Sequence, residues 1–465
     1  MKIISILLVS MIISLTATAQ DIAGQWNGIL KVQGMQLRLV FNVTKTNNGF
    51  TSTMDSPDQG AKDIPVTSTT FQNPKIKFEV ANMRMEYNGE LKNGEIIGIF
   101  KQAGQEFPMN LSRKITEKEV AKRPQEPQKP YPYYSEDVVF QNTKANISLA
   151  GTLTLPQKEG NFPVVILISG SGAQNRNEEI LGHKPFLVLS DYLTKNGIGV
   201  LRYDDRGTAE SKGDFKAATS ADFADDVESA VAYLKTRKEI NKKKIGLVGH
   251  SEGGVVAPMV ASKSKDVSFI VLLAGTGIQG DKLLLLQQGL IAKANGVSDD
   301  DIKKSNQTNT KIFEMVVKSN DSQKLKTDLT NLMNEILKND PNSQIPNGMT
   351  KDQFVSAQVN QVASPWMQYF MKLNPAVALE KTKCAVLAVN GEKDLQVPPK
   401  ENLTAIKNAL TKGGNKNVKT IEFPSLNHLF QECKTGSPSE YATIEQTFSP
   451  TALEEITKWI KIQTK

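Results

Sequence analysis

Cysteine and histidine are both scarce in this sequence. Its 465 residues include two cysteines, Cys384 and Cys433, and three histidines, His183, His250 and His428. At most one disulfide could form. We expect free thiols instead, because Cys384 opens a predicted strand while Cys433 lies toward the opposite end of the same sheet. Any chemistry that needs an imidazole must use one of the three histidines.

Long hydrophobic runs are missing beyond the first residues. No later segment is apolar over about 18 residues, the least that a membrane span requires, so we expect no stable span. At the start, Lys2 is followed by an apolar run from Ile3 to Leu15 and then by Ala17-Thr18-Ala19. This pattern predicts a secretory signal peptide at 1–19 and an exported protein, either periplasmic or secreted.

Extended blocks of one charge sign are also absent, although the formal net charge is +7. The short runs Lys242–Lys244 and Asp299–Asp301 stand among residues of mixed charge and are not interleaved with aromatic side chains. Such runs are typical of a solvated surface, so we expect no nucleic-acid partner.

The pattern changes along the chain, which is too long for one ordinary core. Residues 20–113 contain short, partly alternating apolar runs separated by turns, among them the strong hairpin signal Asn93-Gly94. They predict a small antiparallel β-domain, a closed or nearly closed meander of about seven or eight strands. A linker at 114–137 follows, in which four prolines are closely spaced: Pro124, Pro127, Pro130 and Pro132.

From 138 to 465 the predicted strands alternate with helices, which indicates the α/β class with a mostly parallel sheet. Between Leu273 and Cys384 the sequence shows helical periodicity and no credible strand. We therefore predict a helical cap, inserted at about 277–374. Because it leaves from the edge of the sheet where the parallel strands end, it should cover any site at that edge.

The segment Gly249-His250-Ser251-Glu252-Gly253 has the G-x-S-x-G spacing of a nucleophile elbow. It follows the apolar run 245–248 and precedes a helix-like segment at 254–262, which is the strand, turn and helix context that the motif requires. The flanking glycines permit a tight turn that would present the Ser251 hydroxyl above the sheet. Ser251 is therefore the candidate nucleophile.

A serine nucleophile needs a base, and the base needs an acid that orients it; with this elbow the chain order is serine, acid, histidine. His183 precedes Ser251, and the side chain of its neighbour His250 should point away from the hydroxyl. His428, in a loop after the last predicted strand, remains as the base. The acid should follow the preceding strand, where Asp394 is the stronger candidate and Glu392 the weaker.

The oxyanion of a serine-hydrolase intermediate needs two backbone N–H donors. We expect one from Glu252, at the start of the elbow helix. The other should come from the turn Ser169–Gly172, where Ser171 is our choice and Gly172 the runner-up. This turn is not a phosphate-binding loop, since it lacks G-K-[ST].

From Val138 onward the chain resembles the α/β-hydrolases, close to their secreted esterases and serine aminopeptidases. Five parts of the sequence carry the resemblance: Ser169–Gly172, Gly182–Phe186, Leu201–Gly207, Gly249–Gly254, and Asp394 with His428. The family's first motif often reads H-G-x-G, and Ser169 here replaces the histidine. A backbone amide makes the oxyanion hole, so this departure matters little. The resemblance implies ester hydrolysis through an acyl-enzyme, with no metal and no organic cofactor.

Two further groups of residues near these motifs are expected to be structural. Asp204, Asp205 and Arg206 could form a buried ion-pair network that shapes the loops around the site, with a direct substrate role as the alternative. His183 and Lys184 could brace the mouth of the site, with lining it as the alternative.

The sequence thus predicts an exported serine esterase that acts on small-molecule esters with small to medium acyl groups. A serine peptidase or aminopeptidase of the same fold is an alternative, since acids of the cap such as Glu314 and Glu335 could bind an amino terminus. An acyltransferase, or a binding protein whose N-terminal β-domain carries the function, is also open. The oligomeric state is left open.

Overall fold

The computed structural model describes residues 21–32, 35–102, 105–115, 122–339, 345 and 349–465. The predicted signal peptide at 1–19 lies outside these residues. The chain divides into two units between residues 119 and 120. Among the described helices, none has the length and apolar character needed to cross a membrane.

The first unit is an antiparallel sheet with the strand order β4-β3-β2-β1-β9-β8-β7-β6-β5. Its strands are β1 (Gly24–Val32), β2 (Met35–Thr46), β3 (Gly49–Ser56), β4 (Ala61–Pro65), β5 (Ser68–Gln72), β6 (Lys75–Val80), β7 (Met85–Lys92), β8 (Glu95–Gln102) and β9 (Gln105–Ser112). The predicted antiparallel β-domain is confirmed. It has nine strands rather than seven or eight, because β4 and β5 are short, largely polar strands with a weak apolar pattern.

Alternation of side chains gives this sheet one buried face. Trp26, Phe41, Phe78 and Tyr87 lie at the centre of that core, and all four are almost fully buried. The edge strand β5 contacts β3, since the Thr69 hydroxyl donates a hydrogen bond of 2.9 Å to the Ser52 hydroxyl. The sheet therefore curls around its apolar side chains.

The second unit contains a sheet with the order β10-β11-β13-β12-β14-β15-β16-β17. Its strands are β10 (Tyr134–Asn142), β11 (Ile147–Leu155), β12 (Phe162–Ile168), β13 (Gly199–Tyr203), β14 (Ile240–His250), β15 (Val267–Leu273), β16 (Ala385–Gly391) and β17 (Val418–Phe423). β11 pairs antiparallel with both β10 and β13, and the remaining neighbours are parallel. The predicted α/β class is confirmed.

Helices cover both faces of this sheet. They are α1 (Pro185–Lys195), α2 (Ser220–Thr236), α3 (Gly253–Ala261), α4 (Gly280–Ala294), α5 (Asp299–Lys318), α6 (Ser322–Asn339), α7 (Lys351–Val362), α8 (Pro365–Lys372), α9 (Ala376–Leu379), α10 (Pro399–Lys412) and α11 (Pro450–Gln463). Successive residues of a strand face opposite sides, so Ile166 packs against the core under α2, α3 and α10, while Val165 and Leu167 pack under α1 and α11.

Among the described residues, helices α4 to α9 lie between β15 and β16, and α4 to α8 occupy the segment where the sequence predicts a cap. They have a core of their own, with Phe313, Val316 and Leu329 among its buried residues. A smaller cluster joins Leu283 and Phe370 of the cap to Val397, in the turn after β16. The cap therefore contacts the edge of the sheet where the parallel strands end.

The proline-rich segment before the sheet packs on the second unit. Arg123 donates to the carbonyl oxygens of Ile444 (2.7 Å) and Ala442 (3.1 Å). The Tyr133 hydroxyl donates to Asp191 (3.0 Å). Strand β10 begins at Tyr134, inside the range predicted for the linker. Its start is hard to recognise in the sequence because tyrosines and prolines directly precede it.

Candidate active site

Ser251 occupies a sharp turn between β14 and α3. Its backbone φ is +52°, in the left-handed region, and its N–H donates to the Leu273 carbonyl at 2.8 Å. A Cβ added to Gly249 would lie 1.9 Å from the carbonyl oxygen of Gly253. One added to Gly253 would lie 2.2 Å from the carbonyl oxygen of Ile168. Only glycine fits at either position, so the local sequence dictates the nucleophile-elbow geometry.

Asp394 and His428 form a buried hydrogen-bonded pair. Asp394 lies in the turn after β16, His428 lies in the loop after β17, and Asp394 Oδ2 is 2.8 Å from His428 Nδ1. The other oxygen, Oδ1, accepts the N–H groups of Gln396 and Val397, each at 2.8 Å. A carboxylate only accepts hydrogen bonds, so Nδ1 carries the proton and Nε2 of the neutral ring is left with a lone pair.

The groups that would react are left without protein partners. Within the described part of the chain, neither the Ser251 hydroxyl nor His428 Nε2 makes a hydrogen bond. The carboxyl edge of one sheet carries all three candidate residues: Ser251 after β14, Asp394 after β16 and His428 after β17. In the absence of substrate, the bond between a nucleophile and its base is often long, and it tightens when substrate binds.

The other acids and histidines considered in the sequence have different partners. Glu392 is exposed and accepts the N–H of Ser425 (2.8 Å). His250 uses both ring nitrogens away from the Ser251 hydroxyl, on Glu178 and on the His428 carbonyl. His183 is fully buried, within 3.0 Å of the Thr447 hydroxyl and 2.8 Å of the Tyr441 carbonyl. It therefore braces the loops, and Lys184 pairs with Glu126 (3.0 Å).

The turn Ser169–Gly172 lies directly against Ser251, the candidate nucleophile. A Cβ added to Gly170 would lie 3.2 Å from Ser251 Cβ. The Gly170 N–H already donates to Glu178 Oε1 at 2.6 Å. The amides of Ser171, Gly172 and Glu252 have no partner among the residues that the structure describes. These amide N–H groups can therefore donate to an oxyanion, and the choice of Ser171 and Glu252 stays a prediction.

The side chain of Glu252 makes a contact that the sequence did not reveal. It is 3% exposed, and its Oε1 accepts the Ser220 hydroxyl (2.5 Å) and the Trp366 indole N–H (2.9 Å). Burial raises the pKa of Glu252, and the two hydrogen bonds only partly oppose this. Trp366 belongs to α8, so the cap is hydrogen-bonded to the residue that follows Ser251. No sequence pattern links Trp366 to Glu252, because they lie 114 positions apart.

Asp204, Asp205 and Arg206 do not form one network. Asp204 pairs with Arg176 (2.6 Å) and Arg206 pairs with Asp226 (2.7 Å). Asp205 has no cationic partner among the described residues and accepts the Ser169 hydroxyl (2.6 Å) and the Gln174 N–H (3.0 Å). Burial raises the pKa of Asp205 to about 8. The single network expected from the sequence is thus three separate contacts, because successive side chains after β13 point in different directions.

Two other features bear on the chemistry of the chain. Cys384 and Cys433 are not bonded to each other, as expected. Among the described residues, no group of three or more histidine, cysteine, aspartate and glutamate side chains could hold a metal ion.

Comparison with known proteins identifies a family and a curated relative. The model of the X-Pro dipeptidyl-peptidase (S15) family matches residues 145–422, more than half of the chain. This range includes Ser251 and Asp394 and ends before His428. The esterase EstD of Thermotoga maritima is 26% identical over 339 residues, which are 71% of this chain and 69% of that protein.

Solved structures show more distant similarity. The esterase Pf2001 of Pyrococcus furiosus superposes with a TM-score of 0.43 and 15% identity, covering 75% of this chain and all of that one. Est1E of Butyrivibrio proteoclasticus, solved with ferulic acid bound, gives a TM-score of 0.40 and 17% identity over 70% of this chain and 97% of that one.

Proposed function

The chain belongs to the X-Pro dipeptidyl-peptidase (S15) family of α/β-hydrolases, and from this premise we propose that it is an exported serine esterase. It cleaves carboxylic esters with small to medium acyl groups through an acyl-enzyme on Ser251. The observation that carries the proposal is the buried Asp394–His428 pair, at the same edge of the sheet as a serine in nucleophile-elbow geometry.

In the first half of the reaction, His428 Nε2 takes the proton of Ser251 as Oγ attacks the ester carbonyl carbon. The negative charge that develops on the carbonyl oxygen is stabilised by the N–H groups of Glu252 and Ser171, each worth a few kcal/mol in a dry site. The intermediate then collapses, the bond to the alcohol breaks, and the departing alcohol takes the proton from His428.

In the second half, His428 removes a proton from water, which attacks the acyl carbon. The new intermediate collapses, the bond to Ser251 Oγ breaks, and Oγ recovers its proton from His428 while the acid departs. Asp394 stays ionised throughout and holds the imidazolium that forms twice per cycle.

The choice of ester over peptide rests on the relatives. EstD, the relative that spans 71% of this chain, is named an esterase. The family match supports a second candidate, a dipeptidyl-peptidase or aminopeptidase that uses the same three residues. An ester and a peptide differ in their leaving groups, so substrates of the two kinds separate these candidates.

Export is proposed from the first residues alone. A basic Lys2, the apolar run 3–15 and the A-x-A end at residue 19 support cleavage after a signal peptide. Amino-terminal sequencing of the protein recovered from its natural compartment tests this, and a chain that still begins at Met1 contradicts it.

The catalytic proposal is tested with p-nitrophenyl esters from acetate to decanoate, alongside aminoacyl and X-Pro p-nitroanilides. The parent should hydrolyse the shorter esters, and Ser251→Ala should lose at least a thousandfold of kcat. Ser262→Ala, in the residue after α3, is the matched control and should keep parental rates. Turnover of anilides but not esters would establish the peptidase, and equal rates for parent and Ser251→Ala would overturn the proposal.

A further inference from the structure

Glu178 and His250 form a second carboxylate–imidazole pair beside the first. Glu178 Oε1 is 2.8 Å from His250 Nδ1 and also accepts the N–H of Gly170 at 2.6 Å. On its far side, His250 Nε2 is 3.0 Å from the carbonyl oxygen of His428. Glu178 is 3% exposed and His250 is 7% exposed, so water does not compete for these contacts. The pair therefore connects the turn beside the nucleophile to the loop of the base.

The partners of His250 determine its protonation state. A backbone carbonyl oxygen cannot donate a hydrogen bond, so His250 Nε2 must carry a proton to bond to His428. An ionised Glu178 can only accept a hydrogen bond at Oε1, so the Nδ1 atom beside it carries a proton too. A ring with protons on both nitrogens is an imidazolium, and its charge is balanced by Glu178.

Electrostatics agree with this assignment. Burial by itself lowers the pKa of His250, but the charge of Glu178 and its hydrogen bond, with help from the His428 carbonyl and Asp394, leave that pKa raised. A buried charge pair with good geometry and hydrogen bonds to its remaining atoms is the arrangement that a protein interior tolerates.

We propose that Glu178 and His250 are positioning residues, a permanent ion pair that fixes the oxyanion turn and the loop of the base relative to each other. This inference rests on the proposed function, in which the Ser169–Gly172 turn and His428 act on one substrate. Neither residue touches the reacting atoms. Both act through Gly170 and the backbone of His428.

The ion pair also acts on the charge of the base. The rings of His250 and His428 are 4.8 Å apart, centroid to centroid. Among the described residues, the ionisable groups that act on His250 or contact its ring include Glu178, Asp394 and His428, and Asp205 interacts electrostatically with Glu178. A positive charge on the His250 ring repels a positive charge on the His428 ring. Removing the charge on His250 should move the acid limb of the pH–rate profile to higher pH.

Imidazole ¹⁵N spectra test the ion pair without any substrate. The chain has three histidines, and the signals missing from His250→Gln belong to His250. In the parent, the ring assigned in this way should carry protons on both nitrogens at pH 7, where a free imidazole has mostly lost one. In Glu178→Gln the same ring should lose one proton by about pH 7. A bare ring nitrogen on His250 in the parent at pH 6 to 7 overturns the proposal, whether or not the protein is an esterase.

Ester kinetics test the positioning role. Glu178→Gln and His250→Gln should each lower kcat about ten- to a hundredfold with KM changed less than about threefold. In His250→Gln the acid limb of the kcat/KM profile should move to higher pH by about one unit. In the double variant neither side chain is charged, so the acid limb should return toward its parental pH. Either of two results overturns the positioning role. In one, kcat falls but the acid limb stays at its parental pH in all three variants; in the other, kcat is unchanged in variants that fold.

Discussion

At the scale of single residues, the site depends on a strained backbone at Ser251. A non-glycine residue at φ +52° costs on the order of 1 kcal/mol or more. The strain persists because the Ser251 N–H is bonded to Leu273 and because Gly249 and Gly253 leave room for nothing larger than hydrogen. The hydroxyl is thereby held clear of neighbouring side chains, as a nucleophile requires.

Asp394 and Glu392 differ in ways that substitution can measure. Asp394→Asn replaces the acceptor of the His428 Nδ1–H by an amide, which favours the wrong tautomer of the ring and should lower kcat by about 10³-fold or more. Glu392→Gln changes an exposed acid two positions away and should leave kcat within about twofold. Steady-state ester hydrolysis checks both. If Asp394→Asn had a small effect on kcat, or Glu392→Gln a large one, Asp394 would not be the acid that orients His428.

Asp205 should make the protein less stable as the pH rises. Its folded-state pKa of about 8 lies above the value near 4 of an unfolded chain, so the folded state holds the proton more tightly between these limits. The stabilising contribution is complete below about pH 4 and is lost as the pH rises toward 8. Asp205→Asn keeps an acceptor and a donor for Gln174 and Ser169 and removes this dependence.

The free energy of unfolding of Asp205→Asn should therefore exceed that of the parent at pH 8.5 by about 1–3 kcal/mol, with a smaller difference at pH 5. Urea titrations at the two pH values measure this. If the parent instead became more stable relative to Asp205→Asn between pH 5 and pH 8.5, the raised pKa of Asp205 would be contradicted.

Sequence reasoning reached some residues of this site and missed others. The roles expected of Ser251, Asp394 and His428 follow from chain order and from the presence of only three histidines, and the structure places all three at one edge. Glu178, Ser220 and Trp366 could not be found in this way. They belong to loops and helices with no motif, and their contacts with His250 and Glu252 depend on the folded arrangement of distant segments.

At the scale of elements, a hydrogen bond from Trp366 to Glu252 joins the cap to the elbow. Trp366→Phe keeps the ring stack with Phe370, whose centroid is 5.0 Å away, and removes the indole N–H from Glu252. The backbone of Glu252 is the expected oxyanion donor, so kcat for short esters should fall about five- to twentyfold.

Trp459→Phe, in α11, is the matched control for this change. It removes a similar volume from a core that contacts Phe269 and should affect the melting temperature more than kcat. An unchanged kcat in Trp366→Phe would show that the cap does not influence the elbow through this bond.

Most elements were predictable because their apolar residues follow a clear period, but α7, β10 and the short strands β4 and β5 were not. α7 has mixed periodicity, although Thr350 and Gln353 form a capping box at its start that could have indicated it. β10 follows directly on a proline-rich segment, which conceals its start. The elements that position the nucleophile, β14 and α3, are strongly apolar and were clear in the sequence.

At the scale of the whole molecule, the two units should unfold separately. Their buried clusters share no residue, so each has an apolar core of its own. Leu111→Ala in the first core and Leu247→Ala in the second, both fully buried, should each cost about 2–5 kcal/mol. Differential scanning calorimetry should show two transitions, each lowered by only one of the substitutions. A single transition lowered by both would contradict this.

The proposed mechanism requires Ser251 to be an activated nucleophile, and covalent labelling measures this most directly. The full chain is treated with a fluorophosphonate ester, which phosphonylates activated serines, and the adduct is located by peptide mass spectrometry. We expect one adduct per chain, on the peptide that contains Ser251, absent from Ser251→Ala and formed at least a hundredfold more slowly in His428→Ala. An unlabelled parent, or an adduct on a different serine, would contradict the account.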